Sequence, residues 1–487
     1  MHFCNVTLLS ILFFSMVAGE AQAQEYPHPR QMGLEPSAFA FPDPSEVHLE
    51  LDNGLVAYVA EDHRTPLATL TALVRVGTAS DTHQGAAETL ERALRTRGPR
   101  SADPGAFAAA LRTMVADYRV SMSAEMTEVS INVPVEDVRE ALTWIAGVLR
   151  EPALSHADIA ALRTQAEQRA SAAATGHAGP VEGSLAAAID LFDGLLFEGH
   201  PYGHQPTADE LSRLTVADVQ TFHGHYFVPG NVVLAVAGDF DRATLVAAVE
   251  AAFSDWEAGE TPEPQRINPI QMPTPRQVHT YPANKLQGWV VLGHELPIVP
   301  EEDQAALEVM NYILGGGHFD TRLFRQTRDK HGLTNDASGF LAPHLQGPGS
   351  YTFRTYSRPE VLPWLLEIVF HEIDRIRTEP VLEEELFVAK GALADGVFEM
   401  RFENGTALAH TWARSHATYG DHQRLQTYRQ RIRAVTIDDV RAAAQKYLHP
   451  ERMHLILVGP INQVRQARPP KATMQLHDFG EIVTGNL

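Results

Sequence analysis

The chain has 487 residues, 44% of them hydrophobic and 21% charged, a composition typical of a folded protein with two or more domains. It has 39 Lys and Arg residues against 61 Asp and Glu residues, and its formal charge of −22 argues against binding to nucleic acids or anionic membranes. Its single cysteine excludes an intramolecular disulfide.

The first residues have the pattern of a cleaved secretory signal. The apolar run over residues 8–18 is too short to span a bilayer, and Ala21-Gln-Ala23 matches a signal-peptidase site. We therefore predict a signal peptide over 1–23, an N-terminal arm over 24–44, and export, most simply to a bacterial periplasm. No later stretch predicts a membrane helix, so we expect no membrane insertion.

Strands and helices alternate with hairpins in the first half of the chain. The pair Asn53-Gly54 separates two short apolar runs and predicts a β-hairpin, and residues 67–76 predict a further strand. Alanine-rich stretches predict three helices, over 104–112, 157–176 and 241–253. This mixture indicates the α+β class, with helices covering an antiparallel or mixed sheet.

An internal duplication divides the chain. Four residues recur 221 positions later: Thr215 and Thr436, Tyr226 and Tyr447, Pro229 and Pro450, Gly238 and Gly459. Such register predicts two homologous domains, and each threonine is a candidate N-cap of a short helix. We place the domains at 45–257 and 277–468, joined by an extended Pro-rich linker at 258–276 and followed by a tail at 469–487.

The most informative motif follows Val76-Gly77-Thr78 and contains Glu88, Glu91 and Arg92, spaced as Glu-x-x-Glu-Arg. It resembles the His-x-x-Glu-His helix of the pitrilysin/insulinase superfamily of zinc metallopeptidases, in its mitochondrial processing peptidase-like branch. In that family the histidines bind zinc and the glutamate activates water. Only the glutamate remains here, as Glu91. A guanidinium offers no lone pair to a metal, so Arg92 alone would abolish the site.

The resemblance places the third zinc ligand of the family, a glutamate, at Gln168 or Arg169, with Glu167 next to them as an alternative. The other interpretation of the motif is structural, with Glu88 and Arg92 forming an ion pair at i,i+4.

The similarity covers residues 45–465 and implies a second functional element. Active relatives use an Arg and a Tyr, seven residues apart, to hold the substrate backbone and the oxyanion. Here Arg328 is retained and Asn335 replaces the tyrosine, which leaves a shorter hydrogen-bond donor. Arg328 therefore either contacts peptide or is a structural ion-pair residue.

The resemblance implies that the two domains form one half of a clamshell. It also implies a non-catalytic subunit that pairs with a zinc-bearing homologue, or with itself, to bind and process peptides. No cofactor is expected in this chain, and zinc is expected only in the partner. The acidic charge favours basic peptides. Two alternatives stay open: a structural or peptide-binding homodimer without proteolysis, and a metallopeptidase with an atypical metal site at Glu88 and Glu91.

Overall fold

Two six-stranded mixed sheets, one in each half of the chain, form the framework of the described part of the protein. The computed structural model describes residues 39–175, 184–270 and 275–485. The predicted signal peptide, most of the predicted N-terminal arm and four residues of the predicted linker lie outside these ranges. The α+β prediction is confirmed, with both sheets mixed.

The first sheet has the order β1-β2-β6-β3-β5-β4, in which only the β2–β6 pair is parallel. Its strands are β1 (His48–Glu50), β2 (Val56–Glu61), β3 (Leu67–Val74), β4 (Asp117–Met122), β5 (Thr127–Pro134) and β6 (Val232–Gly238). The predicted hairpin is the β1–β2 connection. Gly54 has a φ of 87° there, which glycine adopts without strain, and Asn53 Oδ1 accepts a hydrogen bond from the Leu55 amide.

The second sheet repeats this arrangement as β12-β7-β11-β8-β10-β9. Its strands are β7 (Gln277–Pro282), β8 (Gly288–Leu296), β9 (Ala337–Ala342), β10 (Gly349–Ser357), β11 (His454–Gly459) and β12 (Glu481–Thr484). Strand β12 pairs in parallel with β7 and lies within the segment predicted as a tail. The sequence pattern predicted no strand in this segment.

Helices of very different length surround the sheets. In the first half they are α1 (Ala86–Thr96), α2 (Pro104–Thr113), α3 (Val138–Arg150), α4 (His156–Thr175), α5 (Leu185–Leu196), α6 (Ala208–Arg213), α7 (Val216–Tyr226) and α8 (Arg242–Phe253). In the second half they are α9 (Glu301–Asn311), α10 (Arg322–Phe324), α11 (Leu362–Thr378), α12 (Glu383–Gly391), α13 (Phe398–Met400), α14 (Gly405–Tyr419), α15 (Gln423–Gln426), α16 (Tyr428–Ala434), α17 (Ile437–Tyr447) and α18 (Ile461–Gln466). The predicted caps at Thr215 and Thr436 are confirmed, each in a capping box with an aspartate three residues later.

The two halves exchange one helix each. Helix α5 of the first half packs on β8, β10 and β11 of the second sheet, where Phe192 and Leu196 join a core with Val291 and Ile456. Helix α14 of the second half packs on β2, β3 and β6 of the first sheet, with Trp412 buried in the same core as Tyr58. Each sheet therefore has one face covered by a helix that the other half supplies.

Residues 257–270 of the connection between the halves have no regular secondary structure. In the three ranges that the structure describes, none of the helices combines the length and the apolarity needed to cross a bilayer.

Candidate functional site

Helix α1 carries the candidate motif, and its start is defined by local chemistry. Gly85 caps it with a φ of 97°, a left-handed conformation that favours glycine. Asp81 Oδ2 accepts hydrogen bonds from the backbone amides of Gly85 (2.8 Å) and Ala87 (3.2 Å), which satisfies two donors of the first turn. Leu90 and Leu94 bury one face of the helix, and the motif lies on the other face.

Glu88 lies in an environment that disfavours its charge. Burial, assisted by the negative charges of Asp81 and Glu91 and opposed by the charge of Arg169, raises the pKa of its carboxyl to about 7. Its Oε2 is buried without a hydrogen-bond partner in the described part of the chain. A carboxyl with this pKa is about half protonated at neutral pH, and it is therefore a weak anionic ligand.

Arg92 is held by a buried acid on a different helix. Its Nε lies 3.5 Å from Oδ1 of Asp158, which is 1% exposed in the first turn of α4, and Arg97 binds the second oxygen of the same carboxylate. The i,i+4 pair on α1 joins Glu91 to Arg95, at 3.2 Å. The predicted ion pair between Glu88 and Arg92 is therefore wrong. A carboxylate as deeply buried as Asp158 requires cations and draws Arg92 toward it.

The side chains of helix α4 distinguish the three candidates for the third zinc ligand. Glu167 is exposed and pairs with Arg163 at 3.4 Å on the same helix. Arg169 is the residue whose charge acts on Glu88, and its Nη2 donates to the carbonyl oxygen of Pro206 at 3.3 Å. The position facing the motif is thus occupied by a cation, and Gln168 is exposed beside it.

Zinc, the metal that the resemblance implies, does not fit these residues. Two of the three side chains near the expected ligand positions, Arg92 and Arg169, are cations without a lone pair, and the third, Glu88, is about half protonated near neutral pH. Across the described part of the chain, His, Cys, Asp and Glu side chains nowhere form a group of three that could hold a metal ion. We therefore derive no step through zinc in this chain.

Strand β4 borders the motif helix and was missed by the sequence analysis. The Tyr118 hydroxyl donates to the carbonyl oxygen of Leu94 in α1 at 2.8 Å. Within the described ranges β4 has a strand partner on one side only, so its outer backbone edge can pair with an extended peptide. The alternation of polar and apolar residues over Asp117–Met122, which the structure repeats as more exposed and less exposed side chains, is the local signal that could have revealed it.

The second predicted element lies at a π-helical turn, Arg325–Lys330. The Arg328 guanidinium lies over the rings of Phe324 (4.9 Å) and Phe319 (5.7 Å), and its Nη1 is 3.5 Å from Asp329. Asn335 is exposed at the bend before β9. Both side chains reach the surface, and the ion pair of Arg328 with an adjacent exposed aspartate contributes little to stability.

Two homologous α+β domains with a degenerate peptidase-type motif helix define a peptidase homologue. Residues 56–189 match the insulinase family (peptidase family M16), and residues 213–393 match the peptidase M16 inactive domain. The chain belongs to the insulinase/pitrilysin superfamily. The match to the inactive domain begins at residue 213, after α1 and α4, so it does not test the zinc motif. The loss of the motif is inferred from the residues of α1 and α4 themselves.

Similar proteins agree with this assignment. An uncharacterized zinc protease of Mycobacterium tuberculosis is 27% identical over 277 residues, which are 56% of this chain and 62% of that protein. The chain thus spans about three fifths of the length of the curated relatives it matches. The peptidase M16 inactive domain from Pseudomonas fluorescens superposes with a TM-score of 0.70 at 22% identity, covering 85% of this chain and 97% of that chain. A Helicobacter pylori protease gives 0.67 at 19% identity, covering 84% and 98%. These two likenesses show the fold.

Proposed function

We propose that this chain is a non-catalytic, zinc-free subunit that pairs with a zinc-bearing homologue to bind and process peptides. The observation that carries the proposal is the ion pair of Arg92 with the buried Asp158. It fills the position of a metal ligand with a cation that is paired with a buried carboxylate of another helix.

Two features support a retained role in peptide binding. The free edge of β4 runs beside α1, where an extended peptide would add as a further strand. Arg328 presents an accessible guanidinium that can donate to peptide carbonyl oxygens. The formal charge of −22 favours basic peptides as the cargo that approaches the whole subunit.

The proposed partner is a homologue with an intact His-x-x-Glu-His helix, and the proposed compartment is the periplasm. Both follow from the sequence: the first from the degenerate motif, and the second from the predicted signal peptide over residues 1–23.

The test is to purify the mature chain alone and together with such a homologue, then measure mass, zinc content and cleavage of a quenched basic peptide. We expect a heterodimer with one zinc, and cleavage only by the pair. Glu91→Gln in this chain should leave the rate within about twofold, whereas the same change in the homologue's motif should abolish cleavage. Zinc binding and cleavage by the isolated chain, or loss of activity with Glu91→Gln here, would overturn the proposal.

A structural or peptide-binding homodimer is the second candidate, and Asn335 favours it. An exposed amide at this position gives shorter reach than the tyrosine of active relatives, so support of an oxyanion is weakened together with the metal site. A stable homodimer that neither pairs with the homologue nor accelerates its cleavage would select this candidate.

A further inference from the structure

A cavity of about 1310 Å³ lies between elements of both halves, and none of the residues that line it belongs to α1. The tip of the β4–β5 hairpin contributes Ser123–Met126, the connection between the halves contributes 262–265, and β9 contributes 338–341. Helices α9, α14 and α16 complete the wall. A cavity of this size accommodates several residues of a peptide.

The charge of the cavity wall is opposite to that of the whole chain. Five arginines and three glutamates line it, in a protein whose formal charge is −22. Three of the arginines have a carboxylate within ion-pair distance: Arg414 with Glu128 (3.4 Å), and Arg424 and Arg431 with Glu301 (3.0 and 3.8 Å). Among the described residues, Arg75 and Arg401 have none. Two cations of the wall therefore lack a direct ion-pair partner, although the charge of Arg401 acts on the carboxylate of Glu308.

The guanidinium groups of Arg75 and Arg401 are both fixed by their surroundings. Arg75 donates through Nη2 to the carbonyl oxygen of Gly230, its Nε is buried without a partner in the described chain, and burial lowers its pKa. Arg401 lies over the rings of Tyr428 (5.1 Å) and Phe398 (5.8 Å). An anion that reached these groups would gain charge-assisted hydrogen bonds with little loss of side-chain entropy.

Two of the glutamates in the wall are already engaged. Glu125 accepts hydrogen bonds from the Tyr202 hydroxyl and from the backbone amides of Leu345 (3.0 Å) and Gln346 (2.8 Å). Glu308 accepts from the Tyr428 hydroxyl at 2.6 Å, and burial raises the pKa of its carboxyl. Neither carboxylate therefore offsets Arg75 or Arg401 as a direct ion-pair partner.

The wall also holds large apolar side chains that remain accessible. Ile298, Phe340, Leu345 and Tyr419 line the cavity, and each is at least 37% exposed. Exposed apolar groups gathered at one site favour a ligand with apolar side chains of its own. Strand β9 is the last strand of its sheet within the described ranges, and its edge is partly occupied, because Asn311 Nδ2 donates to the carbonyl oxygen of Gly339 at 3.2 Å. An extended peptide that reaches this edge would pair with residues other than Gly339.

We propose that this cavity binds a peptide segment that carries a carboxylate next to apolar side chains, with the carboxylate at Arg401 and the apolar side chains on the exposed apolar wall. The carboxylate is either the C-terminus of the peptide or an acidic side chain. This site differs from the motif face of α1 and does not require a zinc-bearing partner. Its failure would therefore leave the pairing proposal standing.

The test is fluorescence anisotropy of the isolated full chain with three labelled hexapeptides. The first ends in Leu-Phe-Leu with a free carboxylate, the second has the same sequence with a C-terminal amide, and the third is the amide with one internal glutamate. We expect the free acid to bind about tenfold more tightly than the plain amide. Tight binding of the third peptide but not of the free acid would identify a side-chain carboxylate as the group recognised, tight binding of the free acid but not of the third would identify the C-terminus, and tight binding of both would show that either carboxylate is accepted.

Variants localise the effect. Arg401→Gln should bring the acid and the amide to within about twofold of each other, whereas Arg401→Lys should keep most of the preference. Arg441→Gln on α17, which removes an exposed pair with Asp438, is the matched control and should change nothing. Thermal melting of each variant shows that it is folded. Equal affinity of the wild type for all three peptides, or no binding of any of them up to about 1 mM, would overturn the proposal.

Discussion

Replacing Glu88 by glutamine should stabilise the protein above neutral pH and leave it unchanged in acid. The carboxyl has a pKa of about 7 in the folded chain against an ordinary value of 4.5, because it is buried near Asp81 and Glu91. Below pH 4.5 it is protonated in both the folded and the unfolded state, so it costs nothing. Above pH 7 the folded state must ionise a buried group, which the unfolded state does freely. The ionised carboxyl therefore destabilises the folded state progressively as pH rises from 4.5 through 7.

The size of the destabilisation follows from this pKa difference of about 2.5 between the folded and the unfolded state. At about 1.36 kcal/mol for each pKa unit it gives an upper value of about 3.4 kcal/mol. Glu88 keeps some contact with solvent, which reduces the penalty, so we expect Glu88→Gln to raise the free energy of unfolding at pH 8 by about 1–3 kcal/mol.

The assay is urea unfolding of the wild type and the variant at pH 4.5 and pH 8, followed by tryptophan fluorescence. Glu167→Gln is the matched control, because Glu167 is exposed on α4 and pairs only with Arg163, so it should shift stability by less than about 1 kcal/mol at either pH. An equal effect of Glu88→Gln at the two pH values would refute the reasoning, since it would mean that the carboxyl is solvated like any surface group.

Three further outcomes follow from the same structure. Asp158→Asn should lower the free energy of unfolding by about 2–3 kcal/mol in urea titrations, because it leaves two arginines without their buried counter-ion. His223 is buried and its pKa is lowered to about 4, so the unfolded state binds its proton first as pH falls below 6.5. Stability should therefore fall between pH 6.5 and 4, and His223→Gln should flatten that decline by about 1–2 kcal/mol in melts across the range. The triple variant Glu88→His, Arg92→His, Arg169→Glu should bind close to one zinc per chain, measured by elemental analysis after dialysis. The wild type should retain none. Equal zinc content of the two proteins would contradict the assignment of these positions.

Local signals allowed much of the fold to be predicted from the sequence. The Asn53-Gly54 turn and the threonine caps at 215 and 436 depend on residues within three positions of each other, and the duplication follows from identities at constant spacing. The exchange of α5 and α14 could not be predicted in this way. An apolar helix face shows that a helix is buried, and it does not show which of two similar sheets covers it.

The candidate site was also only partly predictable from the sequence. The exclusion of zinc by Arg92 follows from the chemistry of one residue type. Its true partner, Asp158, is on another helix, and only the packing of α1 against α4 brings the two together. The orientation of α4 likewise turns Arg169 toward the motif and Glu167 away from it, a choice that the resemblance left open.

The exchanged helices mean that neither half is a self-sufficient folding unit. A fragment ending before the linker would retain α5 without the sheet that buries Phe192, and would lack the helix that covers its own strands. Separate fragments should therefore associate with each other to recover their buried surfaces, and proteolytic cleavage of the connection between them should leave the two pieces bound together. A single ancestral half would have met the same requirement by exchanging that helix with a second copy of itself, so the reciprocal packing gives a physical reason why duplication and fusion would be advantageous.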